Sequence, residues 1–128
     1  MEFYYIEELC EHSRKGDLVS IGRLLNEHKE LKEGRIKEAM ERALSVATEC
    51  GHLEIVRFFV KYGVNITRKD ESSLLFKAAS SGNVELVKYL VSSGCDTALK
   101  DGYQQTPMHL AAANGHTETV KILAEMGA

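Results

Sequence analysis

TPMHLAAANGHTETVKILAEMGA, residues 106–128, reads as a helix, a turn and a second helix. Thr106 is a natural N-cap, because its hydroxyl can accept from a free first-turn N–H, and Pro107 follows at the first helical position, where its missing donor costs nothing. Gly115 can take the left-handed conformation that closes a helix, and Gly127 repeats the device twelve residues later. Two short helices are therefore predicted on either side of Gly115.

The same unit recurs three times upstream, anchored on Gly82, Gly51 and Gly16, at spacings of 33, 31 and 35 residues. Five and eight residues after each glycine the chain is apolar: Ile21 and Leu24, Val56 and Phe59, Val87 and Leu90, Val120 and Leu123. These positions define one helical face. Between them lie Gly22, Arg57, Lys88 and Lys121, and in the last three copies Glu54, Glu85 and Glu118 stand three residues before the base. That face is solvent-exposed, with acid toward the helix N-terminus and a pair worth roughly 0.2 to 0.5 kcal/mol. Ahead of the glycine, Ala111 and Ala112 match Ala78 and Ala79, and Ala47 and Thr48. Small side chains there let neighbouring helices approach closely.

At these residues the chain resembles the ankyrin-repeat family, with its 33-residue period and T-P-L-H-x-A signature. The resemblance is fullest in Asp101 to Ala128, good in Ser72 to Gly94, weaker in Arg42 to Gly63 and degenerate before Leu25. It implies an all-α solenoid of stacked helix-turn-helix units with projecting β-turn loops. The chain is then one repeat domain, its units spanning about 1–34 as a cap, 35–69, 70–100 and 101–128. Copy two has Arg42, Ala43, Leu44 and Ser45 at the signature, so nothing stops its first helix from starting earlier, at about Arg35. Copy three has Ser73, Leu74, Leu75 and Phe76, and a loop two residues shorter, which predicts a truncated turn.

A chain of 128 residues is large enough for a single domain of this kind. With 16 basic and 19 acidic residues mixed along the sequence and a net charge of −3, it has no cationic field to gather phosphates. Nucleic acid is not expected as a partner. Cys10, Cys50 and Cys95 are an odd number and widely spaced, which fits reduced thiols in a cytoplasmic or nuclear compartment. The N-terminus carries acids where a signal peptide would be apolar, and no apolar run approaches the roughly 20 residues needed to cross a bilayer. No membrane association is expected, and a monomer is.

Phe3 to Lys15 reads as a first helix, with Ile6, Leu9 and Cys10 on one side. His12 and Ser13 stand where inner copies carry alanine, as expected of a helix with no neighbour on one side. Asp17 caps a second helix ending near His28, and Lys29 to Gly34 is a polar loop. At the other end, Leu110, Val120, Ile122 and Leu123 have no following unit to cover them. Thr117, Thr119 and Ala124, in place of larger apolar residues, soften that exposure. The last pair is then either its own cap or part of a longer array.

The titratable residues form no catalytic constellation. His109 near Asp101 could be read as a base, but no nucleophile accompanies it. In the resembled family its imidazole ties neighbouring turns together. Cys50 and His52 are at most half a metal site, since no second pair has ligand spacing. Gly51, Gly82 and Gly115 stand singly and form no phosphate-cradling loop, while Phe58, Phe59, Tyr62 and Tyr89 fit helix packing. No cofactor, metal or enzymatic activity is expected.

Function is therefore expected of a surface. The family resemblance implies a protein partner, held on the concave face made by the first helices and projecting turns. Carried over by position, the turn contacts are Tyr103 and Gln105, with Glu71 and Ser72 in the shortened turn. The helix contacts are the two residues before each anchor glycine: Ala113 and Asn114, Ser80 and Ser81, Glu49 and Cys50. Tyr103 stands out as a large aromatic on a loop with no role inside its repeat. An adaptor or scaffold is the leading expectation. The alternative is a regulatory or targeting domain of a larger enzyme or pathogen effector, whose catalytic part lies outside this chain. The family's loop asparagine, a hydroxylation site, is replaced by Thr67 and Ala98, and Asn65 falls two residues early, so no hydroxylation is expected.

Overall fold

A computed structural model describes residues 2–27, 33–61, 64, 66 and 74–127. These residues form eight α-helices and no strand: α1 (Glu2–Lys15), α2 (Leu18–Glu27), α3 (Glu33–Cys50), α4 (Leu53–Lys61), α5 (Leu74–Ser81), α6 (Val84–Ser92), α7 (Pro107–Ala113) and α8 (Thr117–Glu125). The helices pair into hairpins across the four anchor glycines, as the spacing predicts.

Each hairpin turn is built alike. Gly16, Gly51, Gly82 and Gly115 hold φ of +75°, +76°, +74° and +75°. In the second turn the Gly51 N–H donates to Thr48 O and the His52 N–H to Ala47 O, and the other three repeat both bonds at the same offsets. This pairing satisfies the last carbonyls of the first helix and requires the left-handed residue that only glycine adopts freely.

The chain divides into two compact units, Met1–Val64 and Asn65–Ala128. In the first, α1 packs on α3, and α2 and α4 fold back against their own partners. Its core holds Leu9, Ile21, Leu24, Ala43, Leu44, Ala47, Val56 and Phe59. In the second, α5 packs on α7 and α6 on α8, over Leu75, Ala78, Ala79, Leu86, Val87, Leu90, Ala111 and Leu123. The apolar positions five and eight residues after each glycine are buried, except Val120, which is partly exposed.

Helix α3 runs 18 residues, starting early as expected, against 7 for α7, whose start Thr106 and Pro107 fix; α5, which also lacks Thr-Pro, has 8. Asp17 caps α2: its carboxylate accepts from the Ser20 N–H at 3.1 Å and the Ser20 hydroxyl at 2.6 Å. The Ser20 hydroxyl, followed by the Ser20 N–H, holds the Asp17 carboxyl below its ordinary value of 3.8.

Two expectations are corrected. Ser13 is fully buried in the cap helix, with no partner for its hydroxyl among the described residues, so this position faces packing rather than an empty side. Thr119 is also buried, at 1 % exposure, and so does not soften the outer face of the last pair. It occupies the core position that holds Ile55 and Leu86 in the two preceding copies. Its hydroxyl likewise lacks a partner among the described residues. The truncated turn of copy three, with Thr67, lies outside the described residues, as do Asn65 and Tyr62.

Candidate functional site

Tyr103 is 87 % exposed, against a single other large apolar residue so exposed among those described, Val19 on α2. Its loop is closed upon itself. The Asp101 carboxylate accepts from the Tyr103 and Gln105 N–H groups, each at 2.9 Å, and the Asp101 N–H donates to Gln105 O at 2.9 Å. The Gln104 N–H returns to Asp101 O at 3.0 Å, and Gln104 itself is left-handed at φ +64°. A non-glycine residue in that region is strained, and four hydrogen bonds from one aspartate hold it there. The latch fixes the tyrosine outward.

Beyond the loop, Thr106 caps α7. Its hydroxyl accepts from the His109 N–H, and the Thr106 N–H donates to His109 Nδ1 at 3.1 Å. Nδ1 is therefore the unprotonated ring nitrogen. The imidazole fills the role that glutamate plays in a capping box. His109 thus ties its own turn together.

The ring bonds that reach from one repeat to the preceding one come instead from the histidines after the anchor glycines. His52 Nε2 lies 2.9 Å from Arg14 O, and His116 Nε2 lies 3.0 Å from Ser80 O. Both carbonyls stand two residues before the glycine of the preceding copy. A carbonyl can only accept, so Nε2 carries the proton in each ring. Each imidazole then lies over that glycine: a Cβ on Gly82 would sit 2.5 Å from His116 Nδ1, and one on Gly16 3.0 Å from His52 Cε1. The Gly-His dipeptides at 51–52 and 115–116 were the sequence signal for this seat, since their glycine and histidine serve different interfaces.

His116 thereby anchors the ends of α5 and α7 together, where four of the expected partner contacts lie. Asn114 Nδ2 donates to Ser80 Oγ at 3.1 Å and to Leu110 O at 2.9 Å. Asn114, Ala113 and Ser81 are exposed and Ser80 is partly buried. Gln105 is partly buried, its main chain engaged by the Asp101 latch. Glu49 and Cys50 are exposed on the other compact unit, at the end of α3. Glu71 and Ser72 lie outside the described residues.

Reactive chemistry is sparse. The three cysteines are free thiols. Cys95 is buried with its thiol 3.1 Å from Ile66 O, and burial pushes its pKa up to about 11, which keeps it protonated and unreactive at neutral pH. Burial also raises Cys10, against the opposing pull of Arg14 and Arg42. Among the described residues no three His, Cys, Asp or Glu side chains gather where a metal could bind, and no helix is long and apolar enough to cross a membrane.

The family described as ankyrin repeats (3 copies) matches residues 44–128. The human protein phosphatase 1 regulatory subunit 27 is 36 % identical over 88 residues, covering 67 % of this chain and 56 % of that protein. A transient receptor potential cation channel subfamily A member 1 homolog of Caenorhabditis elegans is 34 % identical over 97 residues, 73 % of this chain and 8 % of its own length. Potassium channel AKT1 of Arabidopsis thaliana is 37 % identical over 79 residues, 60 % of this chain and 9 % of its own. The chain thus spans about half of the phosphatase subunit and under a tenth of either channel. The match over 44–128, the repeated glycine turns and the paired helices together place this chain in the ankyrin-repeat family.

Proposed function

We propose that the chain is a protein-binding module, an adaptor or scaffold, whose contact surface within Asn65–Ala128 runs from Tyr103 and Gln105 to Ser80, Ser81, Ala113 and Asn114. Glu71 and Ser72 extend it by position, and Glu49 is its counterpart at the end of α3. The observation that carries the reading is Tyr103, held outward by the Asp101 latch at 87 % exposure. Exposing a large aromatic costs solvation, and rigid aromatics of this kind are the usual energetic centres of protein interfaces. Net charge of −3 argues against nucleic acid as the partner.

The test is an affinity pull-down from cell extract with mass spectrometry, followed by paired measurements on the recovered partner. Tyr103→Ala is expected to weaken binding by roughly 2 kcal/mol while changing stability by under about 0.5. Lys88→Ala, on the exposed side of α6, is expected to change neither. Full binding by Tyr103→Ala would remove the surface from consideration. A second reading, a regulatory portion of a larger protein, is favoured by the small share of the two channels that the chain matches. Extra sequence encoding a catalytic or channel domain in the full-length gene product would support it.

A further inference from the structure

We propose that the surface takes an extended, uncharged run of polypeptide, whose main chain is held by Ser80 and Asn114 and one of whose side chains packs on Tyr103. This rests on the protein-binding reading and names the form of the partner.

Hydrogen-bonding capacity at the joint between α5 and α7 is not exhausted by the joint itself. The Asn114 amide has two N–H donors, and both are spent, on Leu110 O at 2.9 Å and on Ser80 Oγ at 3.1 Å. The Ser80 carbonyl is taken by His116 Nε2 at 3.0 Å. Two groups are left over: the Asn114 Oδ1 acceptor and the Ser80 O–H donor, neither of which has a partner among the described residues. They lie on adjacent repeats and are already oriented by the bonds that join those repeats, so binding costs little rotamer entropy. One donor beside one acceptor is the complement of a single residue in an extended chain, whose N–H and C=O point to the same side.

The joint itself offers no charge for a ligand to pair with. Asp101 Oδ1 accepts from the loop N–H groups, and Lys77, one turn before Ser81, is partly buried and interacts within the protein. Ser81, Ala113 and Gln105 are neutral. A folded partner would have to present free main-chain groups at this point, whereas an extended segment has them at every residue. Spacing sets the length. Helix α7 has 7 residues between the latch and Asn114, about 10 Å at 1.5 Å per residue, which an extended chain crosses in roughly three or four residues at 3.3 Å each. The bound segment is therefore short, with its anchoring side chain at one end and its main-chain contact at the other.

The experiment selects a phage-displayed library of linear twelve-residue peptides on the intact chain, then measures the enriched sequences as synthetic peptides. Enrichment of uncharged peptides is expected. N-methylation at one interior position should weaken them at least tenfold, and Ser80→Ala, Asn114→Ala and Tyr103→Ala should each do the same, with melting curves run alongside. The N-methylated peptide should no longer distinguish Asn114→Ala from the parent, because the N–H that Asn114 Oδ1 would accept is already lost, whereas Ser80→Ala, which loses the bond to a peptide C=O, should weaken it further. Enriched peptides that tolerate methylation everywhere, or that bind Ser80→Ala and Asn114→Ala as well as the parent, would overturn main-chain recognition. If no peptide is enriched but a protein partner still depends on Tyr103, this inference falls and the protein-binding reading stands. Peptides indifferent to all three substitutions would overturn both.

Discussion

Gly82 and Gly115 hold nearly the same angle, φ +74° and +75°, yet only the first has a neighbour where a Cβ would go. The pair therefore separates two costs. An alanine at either position takes on left-handed strain of roughly 1 to 2 kcal/mol, but at Gly82 it must also displace His116 from Ser80 O. Gly82→Ala should destabilise by about 1 kcal/mol more than Gly115→Ala in urea unfolding, and the excess should vanish in a His116→Ala background. Equal losses would mean that the imidazole seat contributes nothing. Thr119 runs the other way. Its hydroxyl is buried and unpartnered where other copies carry Ile55 and Leu86, so Thr119→Val should stabilise by about 1 kcal/mol. A destabilised variant would show that the hydroxyl has a bonding role. Asp17 predicts an acid dependence. Its carboxyl is held low by Ser20 in the folded state, so its contribution is complete above the ordinary value of 3.8 and is lost as pH falls through the depressed folded value. Melting temperature in Asp17→Ala should be lower than in the parent at pH 7, and the gap should close below pH 3.8.

At the level of elements, α2 contains Gly22, with nothing within 4 Å of the place a Cβ would take. Gly22→Ala should add roughly 0.5 to 1 kcal/mol, since glycine inside a helix costs that much and no contact opposes the methyl. A loss measured by urea unfolding would mean that this face packs more closely than the helix pair shows. The latch loop is the second element. Asp101→Ala removes the acceptor of the Tyr103 and Gln105 N–H groups, so amide exchange at those two residues should accelerate while the α7 amides keep their protection. The helix pairs were legible because glycine spacing and apolar periodicity are local signals, and the early start of α3 followed from the missing Thr-Pro. The outward side of Tyr103 was legible for the same reason, as an aromatic without a packing partner in its repeat. What lay beyond sequence were the bonds between copies: His109 serves its own turn, while His116 reaches back 36 residues to Ser80. Ser13 and Thr119 misled because their polarity suggests exposure, whereas their positions in the repeat are core positions.

For the molecule as a whole, each compact unit contains two hairpins, and the boundary at Val64 and Asn65 falls in the link between copies two and three. Within Asn65–Ala128, Phe76 and Ala79 of copy three are buried, whereas the equivalent His109 and Ala112 of copy four are exposed. The proposed partner surface is made of other positions, at the latch loop and the ends of α5 and α7. The two can be told apart by the amide spectrum of the labelled chain, which at 128 residues resolves individual residues. A chemical-shift titration with the recovered partner is therefore the decisive measurement. Shifts are expected to concentrate at Ser80, Ser81, residues 101–105, Ala113 and Asn114. Shifts confined to Glu85, Lys88, Glu118 and Lys121, on the exposed sides of α6 and α8, would contradict the proposed surface.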